Sequence, residues 1–294
     1  MVGLILEGGA MRAGFVAGAV MALMDKELTD FGIALAVSAS VPTLAYFAAG
    51  QRKEIERVWR QELSTPDLVC YRNIPAISLG LSTDRPLIDI HYLVYDVFRD
   101  KYPLDIQNLL KSKVACRFAL TKAPEGSLVF VRPGDYDIYE IFKAALAVPG
   151  YYPGTVCLGN LEYVDGGTVN PLPAESFSDE KTEKIMCILS KPLDWKTESM
   201  SLLERLLFLR YFLKYDWVLE KLQKAGETYE YQVSYLERLA QEEPARAFII
   251  CPERMPPATF LTRDQKKINS TIDMGYGQIE KHEDQIRSFL KEGE

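Results

Sequence analysis

The apolar residues of this 294-residue chain fall into two patterns. Short continuous runs, bounded by glycine, proline or charge, predict buried strands at 2–6, 33–37, 114–121, 128–132, 161–164, 185–189 and 247–251. Between them, apolar positions recur at helical spacing and predict helices at about 11–26, 41–49, 51–63, 86–98, 105–111, 139–146 and 262–290. In the third of these, Ile55, Val58, Trp59 and Leu63 share one face. Residues 64–86 are punctuated by proline and glycine and read as irregular, and a turn at 123–126 joins two of the strands. A long helical insertion, about 200–242, separates the last two strands. Strands that alternate with helices predict an α/β fold with a largely parallel sheet. No repeat, low-complexity tract or linker divides the chain, so 1–294 reads as one domain.

Composition narrows the class. A net charge of −7 and a pI of about 5.2 argue against nucleic acid as a partner. The five cysteines show no C-x-x-C spacing and read as reduced, buried thiols of a cytoplasmic protein. Only two histidines occur, His91 and His282, which excludes a histidine-rich metal site. The first residues carry no basic region and meet Glu7 too early for a signal peptide, and no uncharged run is long enough to span a bilayer.

Three turns carry candidate chemistry. Ser38 ends the strand 33–37 and precedes the helix 41–49. A serine at a strand-to-helix turn projects its hydroxyl beside helix N–H groups, the geometry of a nucleophile elbow. The usual elbow is G-x-S-x-G; here it is Ala36-Val37-Ser38-Ala39-Ser40. The first turn, Glu7-Gly8-Gly9-Ala10-Met11-Arg12-Ala13-Gly14, leads from a strand into a helix and aims backbone N–H groups at one point. That suits a phosphate site, an oxyanion hole, or a tight turn with no ligand; the dinucleotide spacing G-x-G-x-x-G is missing. Asp165-Gly166-Gly167 sets an acid at the carboxyl edge of the sheet, where α/β proteins bind ligands, or forms an Asx turn.

Taken in order, the three turns resemble the patatin-like phospholipases of bacterial type, whose motifs are a G-G-G-x-R-G loop, a G-x-S-x-G elbow and a D-G-G/A segment. Ala147-Val148-Pro149-Gly150-Tyr151-Tyr152-Pro153, the prolines at Pro171 and Pro173, and Asp273-Met274-Gly275-Tyr276 extend the resemblance over essentially the whole chain. It implies a three-layer α/β/α fold with a mostly parallel central sheet and a C-terminal helical insertion. It also implies a lipid acyl hydrolase that cleaves carboxylic esters with a Ser–Asp dyad and needs neither cofactor nor metal. Carried over by residue, Ser38 is the nucleophile, Asp165 the base, and Gly8, Gly9, Ala10, Arg12 and Ala39 supply the oxyanion hole. The implied partner is a lipid or small ester, with peripheral contact at the inner membrane face. A weak or inactive relative that binds lipid or a protein through the same cleft is the alternative; a nucleotide-binding protein built on the Gly8-Gly9 turn is a third reading.

Ala10, Ala13, Ala36 and Ser40 stand where the family uses glycine. If each position needs a left-handed backbone, each costs roughly 1–3 kcal/mol. Within the insertion, 201–223 is apolar with interspersed arginine and lysine; it reads as a lid or membrane-docking helix, or as a core-covering helix with solvent-reaching cations. The tyrosines Tyr229, Tyr231 and Tyr235 that follow read as packing residues.

Overall fold

The computed structural model describes residues 1–78, 81, 85–177, 182–196 and 214–291. Among them, eight strands form one sheet: β1 (Val2–Leu6), β2 (Ile33–Val37), β3 (Ala115–Lys122), β4 (Ser127–Val131), β5 (Val156–Leu158), β6 (Leu161–Asp165), β7 (Lys184–Ile188) and β8 (Ala247–Ile250). Five are parallel neighbours in the order β3-β2-β1-β7-β8. Their alternate residues feed two separate cores. Leu4, Leu6, Ala34, Ala36, Met186 and Ile188 face one side, and Ile5, Leu35, Val37, Ile185 and Cys187 face the other. Burial on both faces is why these strands are apolar without alternation.

Helices complete the layers. The helices α1 (Gly14–Asp25) and α2 (Ser40–Ala48), with Ile138–Leu146 and Gln265–Lys281, cover the first face. The helix Asp216–Ala240 covers the second through Tyr229, Val233, Leu236 and Leu239. This part of the insertion is a covering helix; the apolar stretch before it at 197–213 lies outside the described residues. No helix among the described residues is long and apolar enough to cross a membrane.

The sheet departs from the expected parallel arrangement at its β3 end. There β4, β5 and β6 run antiparallel, and β5 is a strand the apolar pattern does not predict. β3 is longer than β2, so its second half needs other partners. β4 pairs with residues 118–122 along one edge; on the other edge β2 pairs with 115–119 and β6 with 120–122. Val37 is opposite Ala119 and Asp165 is opposite Leu120, so β2 and β6 approach head to head and end beside adjacent residues of β3.

Local chemistry moves three helix boundaries. The helix expected from Pro86 begins at Ile90, because Ile88 bridges to Val69 and the Asp89 carboxylate accepts the Tyr92 N–H as a cap. It then widens into a π-helix, Tyr92–Lys101. The helix 51–63 likewise turns from α at Arg52–Arg57 to π at Val58–Glu62. The C-terminal helix starts where the Asp264 side chain caps Lys266 and Lys267, and it breaks at His282 before Glu283–Lys291.

α1 and the helix Gln265–Lys281 cross with their backbones in contact. A β-carbon at Gly18 would overlap the Ile272 carbonyl oxygen, and one at Gly275 the Phe15 carbonyl oxygen. This crossing anchors α1, the helix into which the Gly8-Gly9 turn runs. We expect Gly275→Ala to lower stability by about 2–3 kcal/mol through backbone displacement. Gly277→Ala on the same helix faces open space and should raise stability by about 0.5–1 kcal/mol. Urea midpoints at unchanged m-value check both.

Candidate active site

Ser38 follows the last residue of β2 and holds a left-handed backbone, φ 57°. Ala39 returns at once to right-handed helical angles as the cap of α2. This reversal turns the serine side chain out of the strand. Its Oγ donates to Asp165 Oδ2 at 2.6 Å.

Asp165 is held from every side. Its N–H donates to the Ala147 carbonyl at 3.1 Å, its carbonyl accepts the Thr121 hydroxyl at 3.0 Å, and its Oδ1 accepts the Gly167 N–H at 2.7 Å. Ser38 is 7% exposed and Asp165 3%. Burial pushes the Asp165 carboxyl up to about 6, against the hydrogen bonds from Ser38 and Gly167, which favour the charged form.

Register brings the glycine turn alongside. Leu6 pairs with Ala36, so Gly8 lies beside Ser38. A β-carbon on Gly8 would sit 2.6 Å from Ser38 Cβ and 2.9 Å from the Val37 carbonyl oxygen, so only glycine fits. Gly9 and Ala10 are left-handed, with φ 145° and 49°, and the Arg12 N–H closes the turn onto the Gly9 carbonyl at 3.1 Å. Of the four glycine replacements, only Ala10 has a left-handed backbone. Ala13 is right-handed, Ala36 lies within β2 and Ser40 within α2. The expected strain is thus confined to Ala10 and to Ser38 itself.

Ser40 is more than a tolerated glycine substitute. Its Oγ donates to the Glu7 carbonyl at 2.6 Å, and Ser190 Oγ donates to the Gly8 carbonyl at 2.8 Å. These two bonds fix successive peptide planes and therefore the directions of the Gly8 and Gly9 N–H groups. The Glu7 carboxylate, 1% exposed, accepts the Ser190 N–H at 2.5 Å and pairs with Lys191 Nζ at 2.9 Å. Lys191 Nζ lies 4.2 Å from the Trp195 ring centroid and 3.6 Å from that of Tyr229. The sequence pattern assigns no role in the site to Glu7, Ser190 or Lys191. Their signal is a pair of opposite charges placed just after two apolar strand runs.

The buried Arg12 side chain adjoins this group, with Glu7 and Tyr229 among its electrostatic partners. Its guanidinium carbon lies 6.0 Å from the Phe260 ring centroid, and burial opposes its charge while Glu7 favours it. Neither histidine lines the cavity that Ser38 borders. The His91 ring centroid is 4.5 Å from that of Tyr95, and His282 Nδ1 is 2.7 Å from Gln285 Oε1.

Ser38, Ala39 and Ala10 line one cavity, which extends between α2 and the two π-helical segments. The free space along its lining, counted out into solvent at the open mouth, is about 720 Å³. Beyond Ser38 its walls are rings and aliphatic groups from Pro42, Trp59, Leu93, Phe98 and Phe260, among others. A buried carboxylate that contacts a serine hydroxyl at the edge of an apolar cavity can take a proton from that hydroxyl while excluding bulk water.

The chain is 24% identical over 199 residues to YjjU, an uncharacterized protein of Escherichia coli (strain K12), a match that covers 65% of this chain and 52% of that protein. It thus spans about half the length of this curated relative. The crystal structure of VipD from Legionella pneumophila aligns with a TM-score of 0.48 and 12% identity, over 95% of this chain and 67% of that one. The family model for patatin-like phospholipase matches residues 4–178, from β1 past the Asp165 turn. That match takes in all three turns at the carboxyl edge of the sheet, and on it the chain belongs to the patatin-like phospholipase family.

Proposed function

We propose that this protein is a carboxylic ester hydrolase acting on lipid acyl esters with Ser38 as nucleophile and Asp165 as its base. The observation that carries this reading is the 2.6 Å bond between Ser38 Oγ and a buried Asp165 carboxylate at the edge of an apolar cavity. A carboxyl raised toward about 6 is ionised at neutral pH yet basic enough to accept the serine proton as Oγ attacks. The Oγ–carbonyl bond forms as the proton passes to Asp165 Oδ2. Collapse of the tetrahedral intermediate expels the alcohol, which takes that proton. Water then attacks the acyl-enzyme and gives a proton to Asp165. The proton returns to Ser38 Oγ as the carboxylic acid leaves.

The oxyanion formed at each attack requires preorganised donors. The N–H groups of the Gly8-Gly9-Ala10 turn and of Ala39 border Ser38 and are assigned this role, with Arg12 stabilising the turn by its own N–H bond to Gly9. Ser40 and Ser190 are positioning residues, since they hold the carbonyls whose peptide planes carry these N–H groups.

A fluorophosphonate probe should label the wild-type protein and fail on Ser38→Ala. Hydrolysis of p-nitrophenyl esters should be lost in Ser38→Ala and in Asp165→Asn. Wild-type turnover in Ser38→Ala would move the chemistry elsewhere; no labelling and no hydrolysis would leave a binding protein.

The pH dependence follows from Asp165. kcat/KM should rise as pH passes about 6 and level off above it, because the free enzyme needs the ionised carboxylate. Stability should move the opposite way. The folded pKa lies above an unfolded value of about 3.9, so the folded state holds the extra proton and its stabilisation is lost as pH rises toward 6. Asp165→Asn should therefore be more stable than wild type by about 2–3 kcal/mol at pH 7. The two proteins should converge near pH 4. Thermal melts across that range check the sign.

Ser40→Ala removes one restraint on the turn and leaves Ser38 in place. Turnover should fall about tenfold with KM nearly unchanged, because the donors act on charge that develops in the transition state. Titration of active sites with the fluorophosphonate probe separates this from a loss of folded enzyme, which would lower the labelled fraction and leave turnover per labelled site unchanged.

A further inference from the structure

We infer that the cavity is a closed measure for one straight, saturated acyl chain of about eight to ten carbons. This deepens the ester hydrolase reading and rests on it for the orientation of the chain. Ala39, Pro42, Thr43 and Tyr46 all line the cavity, and on α2 they form one face. The cavity therefore runs along the helix from the nucleophile. From the cap Ala39 to Tyr46 the helix rises about 10 Å. A C–C bond of about 1.5 Å advances a zigzag chain by about 1.3 Å, so that length holds about eight carbons, with Ser38 adding room at the near end.

The far end is shut. Tyr46 and Phe98 are 1% and 4% exposed, and their ring centroids lie 6.0 Å apart. The Tyr46 hydroxyl donates to the Tyr102 carbonyl at 2.6 Å, and Phe98 packs edge-on against Phe142 at 5.6 Å. The wall is a coupled pair of rings, one pinned by a hydrogen bond and one backed by a third ring. Along the sides the polar groups are engaged with each other: Trp59 Nε1 donates to Thr43 Oγ1 at 3.1 Å. What faces the lumen is hydrocarbon, which favours methylenes and disfavours a hydroxylated or charged chain.

Two π-helical segments build the opposite wall. Val58 and Trp59 come from one, Leu93 and Phe98 from the other. Residues at this wall set the measure, with Phe98 at its end and Val58 along its side.

The experiment uses two readouts. The first is kcat/KM for p-nitrophenyl esters of four to sixteen carbons on the wild-type chain. The second is binding of saturated methyl ketones of six to sixteen carbons to Ser38→Ala by calorimetry. Both should gain about fourfold per methylene up to the limit. Both should then fall about tenfold by sixteen carbons, as overlong chains must displace the end wall. Val58→Phe should move the optimum about two to four carbons shorter by filling the lumen. Phe98→Ala should move it longer by removing the end wall; it is also the variant most exposed to loss of stability. Val58→Phe and the wild-type profile keep the test decisive if Phe98→Ala fails to fold. A profile that rises unbroken to sixteen carbons, or that ignores the Val58 substitution, overturns the inference even if esters are cleaved. A peaked ketone profile without hydrolysis sinks the catalytic reading and upholds the closed measure.

Discussion

β3 is the element on which the site depends. It is long enough to pair with β2 over its first half and with β6 over its second, on the same edge. Two strands that share one edge of a third must meet end to end, and here both meet by their carboxyl ends. Val37 and Asp165 stand beside Ala119 and Leu120, so the next side chain after β2 and the last of β6 are forced together. The parallel pairing of β1 with β2 then carries the Gly8 turn to the same point. Register assembles the three turns, through β3 for Ser38 and Asp165 and through β2 for the Gly8 turn.

Burial acts on the site twice. Apolar side chains beside Ser38 form a cavity suited to a hydrocarbon chain, and the enclosure of Asp165 raises its affinity for a proton by denying its charge solvent. The cost is stability at neutral pH, the usual tension between a tuned group and a relaxed fold. Nearby, the buried Glu7–Lys191 pair ties the end of β1 to the segment after β7. A buried pair of this kind is weak evidence for stability. Its position, next to a turn whose peptide planes matter, supports a role in holding geometry.

Glycine loss in the family motifs has unequal consequences. At Ala36 and Ser40 the backbone is ordinary strand and helix, so a small side chain enters without torsional strain. At Ser40 it adds a hydroxyl that a glycine would lack, and that hydroxyl restrains the Glu7 carbonyl. Ala10 is different: φ of 49° is a conformation alanine resists, held by a turn closed through Arg12 and Gly9. Gly8 admits no substitution because Ser38 Cβ occupies the space a side chain would need.

Much of this architecture was legible in the sequence. Apolar runs without alternation marked the strands of the parallel sheet, since burial on both faces leaves no polar position. The turn residues marked Ser38 and Asp165 as strand ends, because a strand-to-helix reversal and an Asp-Gly-Gly turn leave local signatures. The sequence was silent on β5 and on the antiparallel sense of β6, because a short strand looks the same in either direction. It was silent on the π-helical widening at Val58 and Tyr92, which keeps helical spacing locally. It made Ser40 a defect, and pairing of β1 with β2 made it a restraint. The resemblance pairs Ser38 with Asp165, but nothing local to either residue brings them together, and the contact across 127 residues is made by tertiary structure. Each segment specifies its own turn, whereas the distance between turns follows from which residues of β3 are selected by β2 and β6, and which residues of β2 by β1.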